Sequence, residues 1–183
     1  MLAPPSGQDS ASPRIDIPSE ELRRLRTQAH QGVAEAQTNL GLLYYDGRGV
    51  PRDYIQAREW FEKAAPQGDA NAQYNLGVMY DFEKGVPQDS AKARQWYEKA
   101  AAQGHVGAQN NLGELYEFGH GVSQDSVRAY MWYHVAAALS TNDPHKEIAA
   151  ENRDEIGDHM TSAQKKEAKR LASRCEAQRF KGC

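Results

Sequence analysis

The side chains capable of acid–base, metal or thiol chemistry are spread along the chain rather than grouped in one motif. The six histidines form no H-E-x-x-H pattern, and the two cysteines, Cys175 and Cys183, are too few for a cysteine-built zinc site. The carboxylates are mostly spaced as on solvated helix faces, and the chain has neither a G-x-S-x-G elbow nor a phosphate-binding glycine loop. The sequence therefore predicts a noncatalytic protein with no metal site and no cofactor.

Composition narrows the class of protein further. The chain has 183 residues, 22 Lys and Arg against 25 Asp and Glu, and a net charge of -3. A general nucleic-acid binder needs a basic face, which this near-neutral balance does not favour. No segment approaches the roughly 18 consecutive apolar residues of a membrane span. We therefore expect one domain that neither binds nucleic acid nor crosses a membrane.

Internal repetition is the strongest signal in the sequence, with a period of 36 residues and no insertion between units. Apolar residues fall at helical spacing on both sides of a turn that contains glycine, so each unit is predicted to form two helices. A period of this length is typical of an all-α solenoid, whose units bury their apolar faces against one another. The recurring motif positions include Ala36, Ala72 and Ala108, then Asn39, Asn75 and Asn111, then Trp60, Trp96 and Trp132.

The repeat divides the chain into six segments. We predict a flexible arm at 1–18, a capping helix at 19–33, repeats at 34–69, 70–105 and 106–141, and closing helices with a basic tail at 142–183. From Thr161 onward the net charge is +5, which leaves -8 for the rest. A solvated helix face is the favoured interpretation of this tail, and contact with an acidic partner or an anionic membrane surface is the alternative.

Two features of the repeat call for a packing or turn explanation. Glycine inside a helix costs about 0.5–1 kcal/mol relative to alanine, so Gly41, Gly77 and Gly113 indicate close approach of the two helices of each unit. We expect the tryptophans to fill the space beside them. In the second unit Glu83 replaces the turn glycine of the other two units, so we expect its turn to follow a different backbone path.

The motif A-x-A-Q-x-N-L-G-x-x-Y, followed by G-x-G-V-P-x-D and A-x-x-W-[FY]-x-K-A-A-x-Q-G, resembles the Sel-one-like repeat (SLR), a bacterial type within the tetratricopeptide-repeat superfamily. The resemblance covers all three complete units. It implies a right-handed α-solenoid of helix-turn-helix repeats whose first helices line a concave groove. It also implies that this groove binds a protein or peptide.

The tetratricopeptide pattern also implies which positions face the groove. Their acidic and aromatic character predicts a basic or amphipathic partner segment, whereas the alternative is a solvated polar face with aromatics buried between repeats. We expect Tyr74 to contribute to binding rather than to stability. The predicted set is Glu35, Thr38, Asn39, Leu42, Tyr45, Asp46, Asn71, Tyr74, Asn75, Val78, Asp81, Phe82, Gly107, Asn110, Asn111, Glu114, Glu117 and Phe118.

The recurring asparagines Asn39, Asn75 and Asn111 have two interpretations. A side-chain amide can bond both the N–H and the C=O of an extended peptide, as in related arrays. The identity of the residue in all three units equally suits an amide that holds the neighbouring unit or loop. The two roles are compatible.

The expected function is that of an adaptor or regulator of an assembly. The family resemblance adds two alternatives: a periplasmic immunity protein that neutralises a secreted toxin such as a phospholipase, and a peptidoglycan or β-lactam hydrolase. The first residues lack the pattern of a signal peptide, and we expect a periplasmic or otherwise exported protein, with the cytoplasm as the alternative. In an oxidising compartment Cys175 and Cys183 are expected to form a disulfide. The sequence leaves the oligomeric state open.

Overall fold

The computed structural model describes residues 17–139, 142–180 and 183, and the predicted flexible arm lies almost entirely outside them. Over these residues the chain is all helical, with one 3-10 turn at Ala65–Gln67 and no strand. The all-α solenoid predicted from the repeat is confirmed. The helices are α1 (Ser19–His30), α2 (Ala34–Asp46), α3 (Tyr54–Ala64), α4 (Ala70–Asp81), α5 (Ser90–Ala101), α6 (Val106–Phe118), α7 (Ser126–Ala138), α8 (His145–Asp158) and α9 (Ser162–Ala177).

Each repeat is a pair of packed helices, α2 with α3, α4 with α5 and α6 with α7. Neighbouring units meet where α3 contacts α4 and where α5 contacts α6. At the two ends, α1 packs against α2, while α8 and α9 both pack against α7. The apolar surface is thus buried in stacked layers, as expected of a solenoid.

The turns and caps explain where the helices begin and end. Asp53, Asp89 and Asp125 each accept a hydrogen bond from a backbone N–H of the second helix that follows, at 2.9–3.0 Å. Such caps satisfy donors that the first turn of a helix leaves unpaired. Thr161 and Gln164 form a reciprocal capping box at the start of α9. Local sequence therefore determines the helix starts.

The turn of the second unit follows the same path as the others, so the expectation of a different path at Glu83 is wrong. Glu83 has φ 54°, close to φ 72° at Gly47 and φ 73° at Gly119. In each unit, the backbone N–H that follows this position donates to a carbonyl in the last turn of the first helix. These hydrogen bonds hold Glu83 in a left-handed conformation that a side chain ordinarily disfavours.

The helical glycines allow close packing, but a different aromatic residue lies against them. A Cβ added at Gly77 would overlap the Tyr97 ring, and one added at Gly113 would overlap the Tyr133 ring. In the first unit, Phe61 Cε1 lies 2.6 Å from the corresponding position on Gly41. The residue after each tryptophan, rather than the tryptophan itself, therefore fills the space against the glycine.

A buried glutamine in each first helix connects successive units. Gln37 Nε2 donates to Ala29 O at 3.1 Å, and Gln37 Oε1 accepts from Gln67 Nε2 at 2.8 Å. The second unit repeats both bonds around Gln73. In the third unit, Gln109 Nε2 donates to Ala101 O at 3.3 Å. Its Oε1 has no partner among the described residues. The position equivalent to the donor glutamines of the other units is occupied by Leu139. The third unit thus keeps the bond to the preceding unit and lacks the glutamine–glutamine bond within the unit.

We expect Gly77→Ala to destabilise the fold by about 1–3 kcal/mol, because the new methyl group forces the buried Tyr97 ring out of its position. This cost exceeds the gain of about 0.5–1 kcal/mol in helix propensity. Urea denaturation followed by far-UV circular dichroism measures the difference. Gln95→Ala, at an exposed position of α5, is the control and should change little. Equal stability of the two variants would contradict the packing role of Gly77.

Candidate protein-binding surface

The solvent-facing positions of α2, α4 and α6 form what we call the first-helix surface. Its accessibility decreases along the chain. In unit 1, Glu35 and Asn39 are exposed, and Leu42 and Tyr45 are half-buried. In unit 2, only the two ends of α4 are exposed, at Asn71 and Phe82, while the residues between them are half-buried: Tyr74, Asn75, Val78 and Asp81.

In unit 3 the first-helix surface is largely covered by α8. This helix packs against α7 and also contacts α6, so it occupies the place where a partner would approach. Asn152 on α8 donates to Asn110 Oδ1 at 3.1 Å. Asn110 and Asn111 are only 2% and 8% exposed. We therefore remove both from the candidate surface, because Asn110 is hydrogen-bonded to α8 and Asn111 is buried.

Thr38 is a further correction within the predicted set. It is 2% exposed, and its hydroxyl has no hydrogen-bond partner among the described residues. A side chain this deeply buried cannot contact a partner while the fold is intact. Thr38 therefore belongs to the packing of unit 1.

Tyr74 packs between units 2 and 3 and is not a free aromatic on the surface. Its ring stacks on His105 with centroids 4.4 Å apart, and its Cε2 lies 3.2 Å from the position a Cβ would take on Gly107. Burial raises the pKa of Tyr74 to about 12. The absence of a side chain at Gly107 lets the ring lie over α6, so this packing contradicts the expectation that Tyr74 adds nothing to stability. Its contribution to binding stays a prediction.

The three recurring asparagines differ in their surroundings. Asn39 is exposed, and Asn75 Nδ2 donates to the Asn71 carbonyl of its own helix at 2.8 Å. Asn111 is buried and lies close enough to the hydroxyls of Tyr74 and Tyr97 in the preceding unit to lower the pKa of both, against the larger effect of burial. The asparagine thus connects units at the covered end of the array, whereas at the open end its amide faces solvent.

Three carboxylates of the first-helix surface are paired with neutral donors. Asp81 accepts from the Tyr97 hydroxyl at 3.2 Å, Glu117 from the Tyr133 hydroxyl at 2.6 Å, and Glu114 from Asn110 Nδ2 at 2.8 Å. Burial raises the pKa of Asp81 and of Glu114 above their ordinary values. Burial also raises the pKa of both tyrosines, which keeps their hydroxyls protonated as donors. None of these three carboxylates is paired with Lys or Arg within the described residues.

Two exposed phenylalanines stand directly beside these carboxylates. Phe82 is 56% exposed and Phe118 is 61% exposed, and each follows an acidic residue, Asp81 or Glu117. They occupy equivalent positions of units 2 and 3, at the end of the first helix. We call these four residues the acidic-aromatic edge. Single exposed apolar residues are ordinary, but a repeated exposed phenylalanine beside a carboxylate is a favourable contact point for an amphipathic segment.

A cleft of about 440 Å³ lies between α1 and α2, at the open end of the first-helix surface. Sequence reasoning placed Glu35, Asn39 and Leu42 at this surface but missed the contribution of α1. The helical spacing of Leu22 and Leu25 was the available signal that α1 packs beside α2. The residues of α1 that line the cleft are Glu21, Arg24, Leu25 and Gln28.

Sequence reasoning also missed a polar cluster at the start of α8. Asp143 Oδ1 lies 2.7 Å from His145 Nδ1, and His145 Nε2 lies 3.5 Å from the Tyr74 hydroxyl. Burial lowers the pKa of His105, which stacks on the other side of this group. The contact between His145 and Tyr74 joins the start of α8 to unit 2. Within the described ranges, no group of three or more His, Cys, Asp or Glu side chains is placed to hold a metal ion.

Two further predictions concern the C-terminal cysteines and the presence of a membrane-spanning helix. Cys175 and Cys183 form a disulfide with Cα atoms 5.3 Å apart. Of the helices that the structure describes, none is both long and apolar enough to cross a membrane.

Stacked helix pairs with an open first-helix surface define a helical-repeat protein. The Sel1 repeat family model matches residues 34–69, 70–105 and 106–140, and the chain belongs to this family. Proteins of the family are generally noncatalytic scaffolds for protein–protein interaction. A search of curated proteins finds no match.

Two solved structures are similar to this chain. One is c5321, a protective antigen of uropathogenic Escherichia coli with an SLR fold, at 34% identity and a TM-score of 0.79. The match covers 94% of this chain but only 37% of c5321. The other is a Sel1 repeat protein from Oxalobacter formigenes, at 35% identity and a TM-score of 0.63, over 74% of this chain and 98% of that one.

We expect Glu114→Gln to increase the free energy of unfolding at neutral pH, because the amide avoids burying a charge and still accepts from Asn110. A carboxyl whose pKa is raised in the folded state stabilises the fold below its unfolded-state pKa and loses that contribution as pH rises through the folded-state pKa. The difference between variant and wild type should therefore grow from acidic to neutral pH.

Urea titrations at several pH values measure this difference. Glu151→Gln, on the exposed side of α8, is the matched control. A pH dependence shared by both variants would contradict the effect of burial at Glu114.

Proposed function

We propose that this protein is a noncatalytic adaptor or regulator that binds a basic or amphipathic segment of a protein partner. The site is the first-helix surface of units 1 and 2 together with the acidic-aromatic edge. The observation that carries the proposal is the pairing of exposed Phe82 and Phe118 with carboxylates that have neutral hydrogen-bond donors.

The chemistry of the edge favours a partner with both apolar and cationic side chains. The phenylalanines offer rigid contact area at low entropic cost. Asp81 and Glu117 hold their carboxylates beside these rings and form no ion pair with Lys or Arg among the described residues. A partner Lys or Arg supplies the missing opposite charge, while its apolar side chains cover the rings.

The repeat also determines the number of phenylalanine contacts that the edge offers a partner. Phe82 and Phe118 occupy equivalent positions at the ends of α4 and α6, one repeat apart. A partner that contacts both rings therefore needs two apolar side chains, one for each unit.

The cleft between α1 and α2 extends this surface. Its floor includes Leu25 and Leu42, and its polar rim includes Asn39, an amide able to bond the backbone of an extended peptide. Because α8 covers much of unit 3, the partner approaches units 1 and 2 and reaches unit 3 only at its exposed edge. This arrangement favours a short segment over a ligand that spans the whole array.

We further propose that the protein acts outside the cytoplasm, for which the Cys175–Cys183 disulfide is the supporting observation. An exported location also favours the second candidate function, neutralisation of a secreted toxin through the same surface. Co-purification from the periplasm distinguishes the two roles, because an immunity protein captures a toxin and an adaptor captures components of an assembly.

Selection from a displayed library of random peptides tests the partner chemistry. Enrichment of peptides that combine Lys or Arg with apolar residues is the expected result, and added salt should weaken their binding. Enrichment of acidic peptides would contradict the proposal, as would enrichment of the same peptides by the wild type and by a variant with both Phe82→Ala and Phe118→Ala.

We expect the double variant Phe82→Ala, Phe118→Ala to weaken binding of a selected peptide about tenfold or more, equivalent to about 1.4 kcal/mol. The reason is that both rings are exposed and available for contact. Isothermal titration calorimetry measures the affinity. Ile55→Ala, at a similarly exposed residue of α3, is the matched control and should bind as wild type does. Unchanged affinity in the double variant would place the site elsewhere.

A further inference from the structure

The C-terminal disulfide joins a protected cysteine to an accessible one. Cys175 lies near the end of α9 and packs in the core beside Ala168 and Ala172, whereas Cys183 is exposed. An incoming thiolate can therefore approach Cys183 far more readily than Cys175. Because of this difference in exposure, Cys183 Sγ is the sulfur that a thiolate attacks more readily.

The residues just after α9 adopt a conformation that needs support. Arg179 has φ 51° and Phe180 has φ 62°, two consecutive side-chain-bearing residues in the left-handed region. Such residues are disfavoured there because Cβ approaches the neighbouring backbone. Two backbone hydrogen bonds close the turn, from Arg179 N to Glu176 O and from Phe180 N to Cys175 O, each at 2.9 Å. The disulfide adds a covalent restraint on the same segment.

This conformation places Phe180 against the connection between α5 and α6. Its Cε2 lies 3.6 Å from the position that a Cβ would take on Gly104. The next residue, His105, caps α6 by accepting from Ala108 N at 3.2 Å, and its ring stacks on Tyr74. Phe180 is thus a contact between the C-terminal segment and the connection that supports Tyr74 on the first-helix surface.

We propose that Cys183 is a site of thiol–disulfide exchange and that its reduction releases Phe180 from the α5–α6 connection. The reacting partner is a dithiol, either a small molecule or the reduced Cys pair of an oxidoreductase. The proposal concerns this chain alone and does not require the protein partner described above.

The exchange consists of two substitutions at sulfur. A thiolate of the dithiol attacks Cys183 Sγ, a bond forms between these two sulfurs, and the Cys175–Cys183 bond breaks with Cys175 leaving as a thiolate that takes up a proton. The second thiolate of the dithiol then attacks the mixed disulfide and releases Cys183, which is also protonated. The dithiol is oxidised to a disulfide, and its two electrons reduce the cysteine pair.

Loss of the disulfide makes the packed position of Phe180 less stable relative to other conformations of the segment. Without it, the two left-handed residues depend on two backbone hydrogen bonds of the terminal turn and on the packing of a single half-buried ring. We infer that the segment then samples other conformations and that the Gly104–His105 connection loses its cover. Local opening of this kind is measurable by amide hydrogen exchange.

Hydrogen exchange read by mass spectrometry tests the release of Phe180. After treatment with dithiothreitol, wild-type exchange should become several-fold faster in both 176–180 and the α5–α6 connection. Cys183→Ser should show the same rates with or without dithiothreitol, which controls for effects of the reductant itself. Phe180→Ala with the disulfide intact should accelerate exchange in the connection only. Unchanged rates in reduced wild type, or changes confined to 176–180, would overturn the proposal.

The site of attack is tested separately with glutathione, whose single thiol traps the mixed disulfide. Peptide mapping should find glutathione on Cys183. Its attachment to Cys175 instead, or the absence of any adduct under conditions that reduce an exposed model disulfide, would overturn the assignment of Cys183 as the exchange site.

Discussion

Close contact between a glycine of the first helix and an aromatic ring of the second helix determines the geometry of each unit. A side chain at Gly77 or Gly113 would occupy the space of the Tyr97 or Tyr133 ring. The same rings carry their hydroxyls out of the core to Asp81 and Glu117. Core packing therefore positions the acidic groups of the candidate surface. A bulky residue at the glycine would disturb both the packing and the surface, because one side chain serves the two.

The three units preserve the packing and vary the chemistry at its outer end. In unit 1 the ring on the glycine is Phe61, which has no hydroxyl, and Tyr45 stands where the other units have a carboxylate. The acidic-aromatic edge is therefore confined to units 2 and 3. Repeat proteins recognise a partner through residues that differ between otherwise equivalent units. The closing helix α8 adds a second asymmetry by covering Asn110 of unit 3.

The sequence predicted the features that recur in every unit. The 36-residue period predicted the boundaries of the units. Capping residues such as Asp53 and Asp89 predicted the starts of the second helices, because a cap depends on local hydrogen bonds. It failed where a contact depends on an element or a residue that does not repeat, such as α8 or Gly107. Nothing local shows that α8 covers Asn110, or that Gly107 lets Tyr74 pack between units. Both depend on tertiary packing, which periodic motifs do not encode.

Acidic and basic residues are concentrated in different parts of the chain. The chain before Thr161 has a net charge of -8 and the rest +5. On α9, Arg170 is paired with Glu167, while exposed residues such as Lys166 and Lys169 enter no ion pair within the described part of the chain. For the basic segment that we propose as the partner, this charge distribution would favour approach to the acidic-aromatic edge over approach to α9. Because the Debye length is about 8 Å at physiological ionic strength, charge would orient the approaching segment, and Phe82 and Phe118 would supply the contacts in the proposed complex.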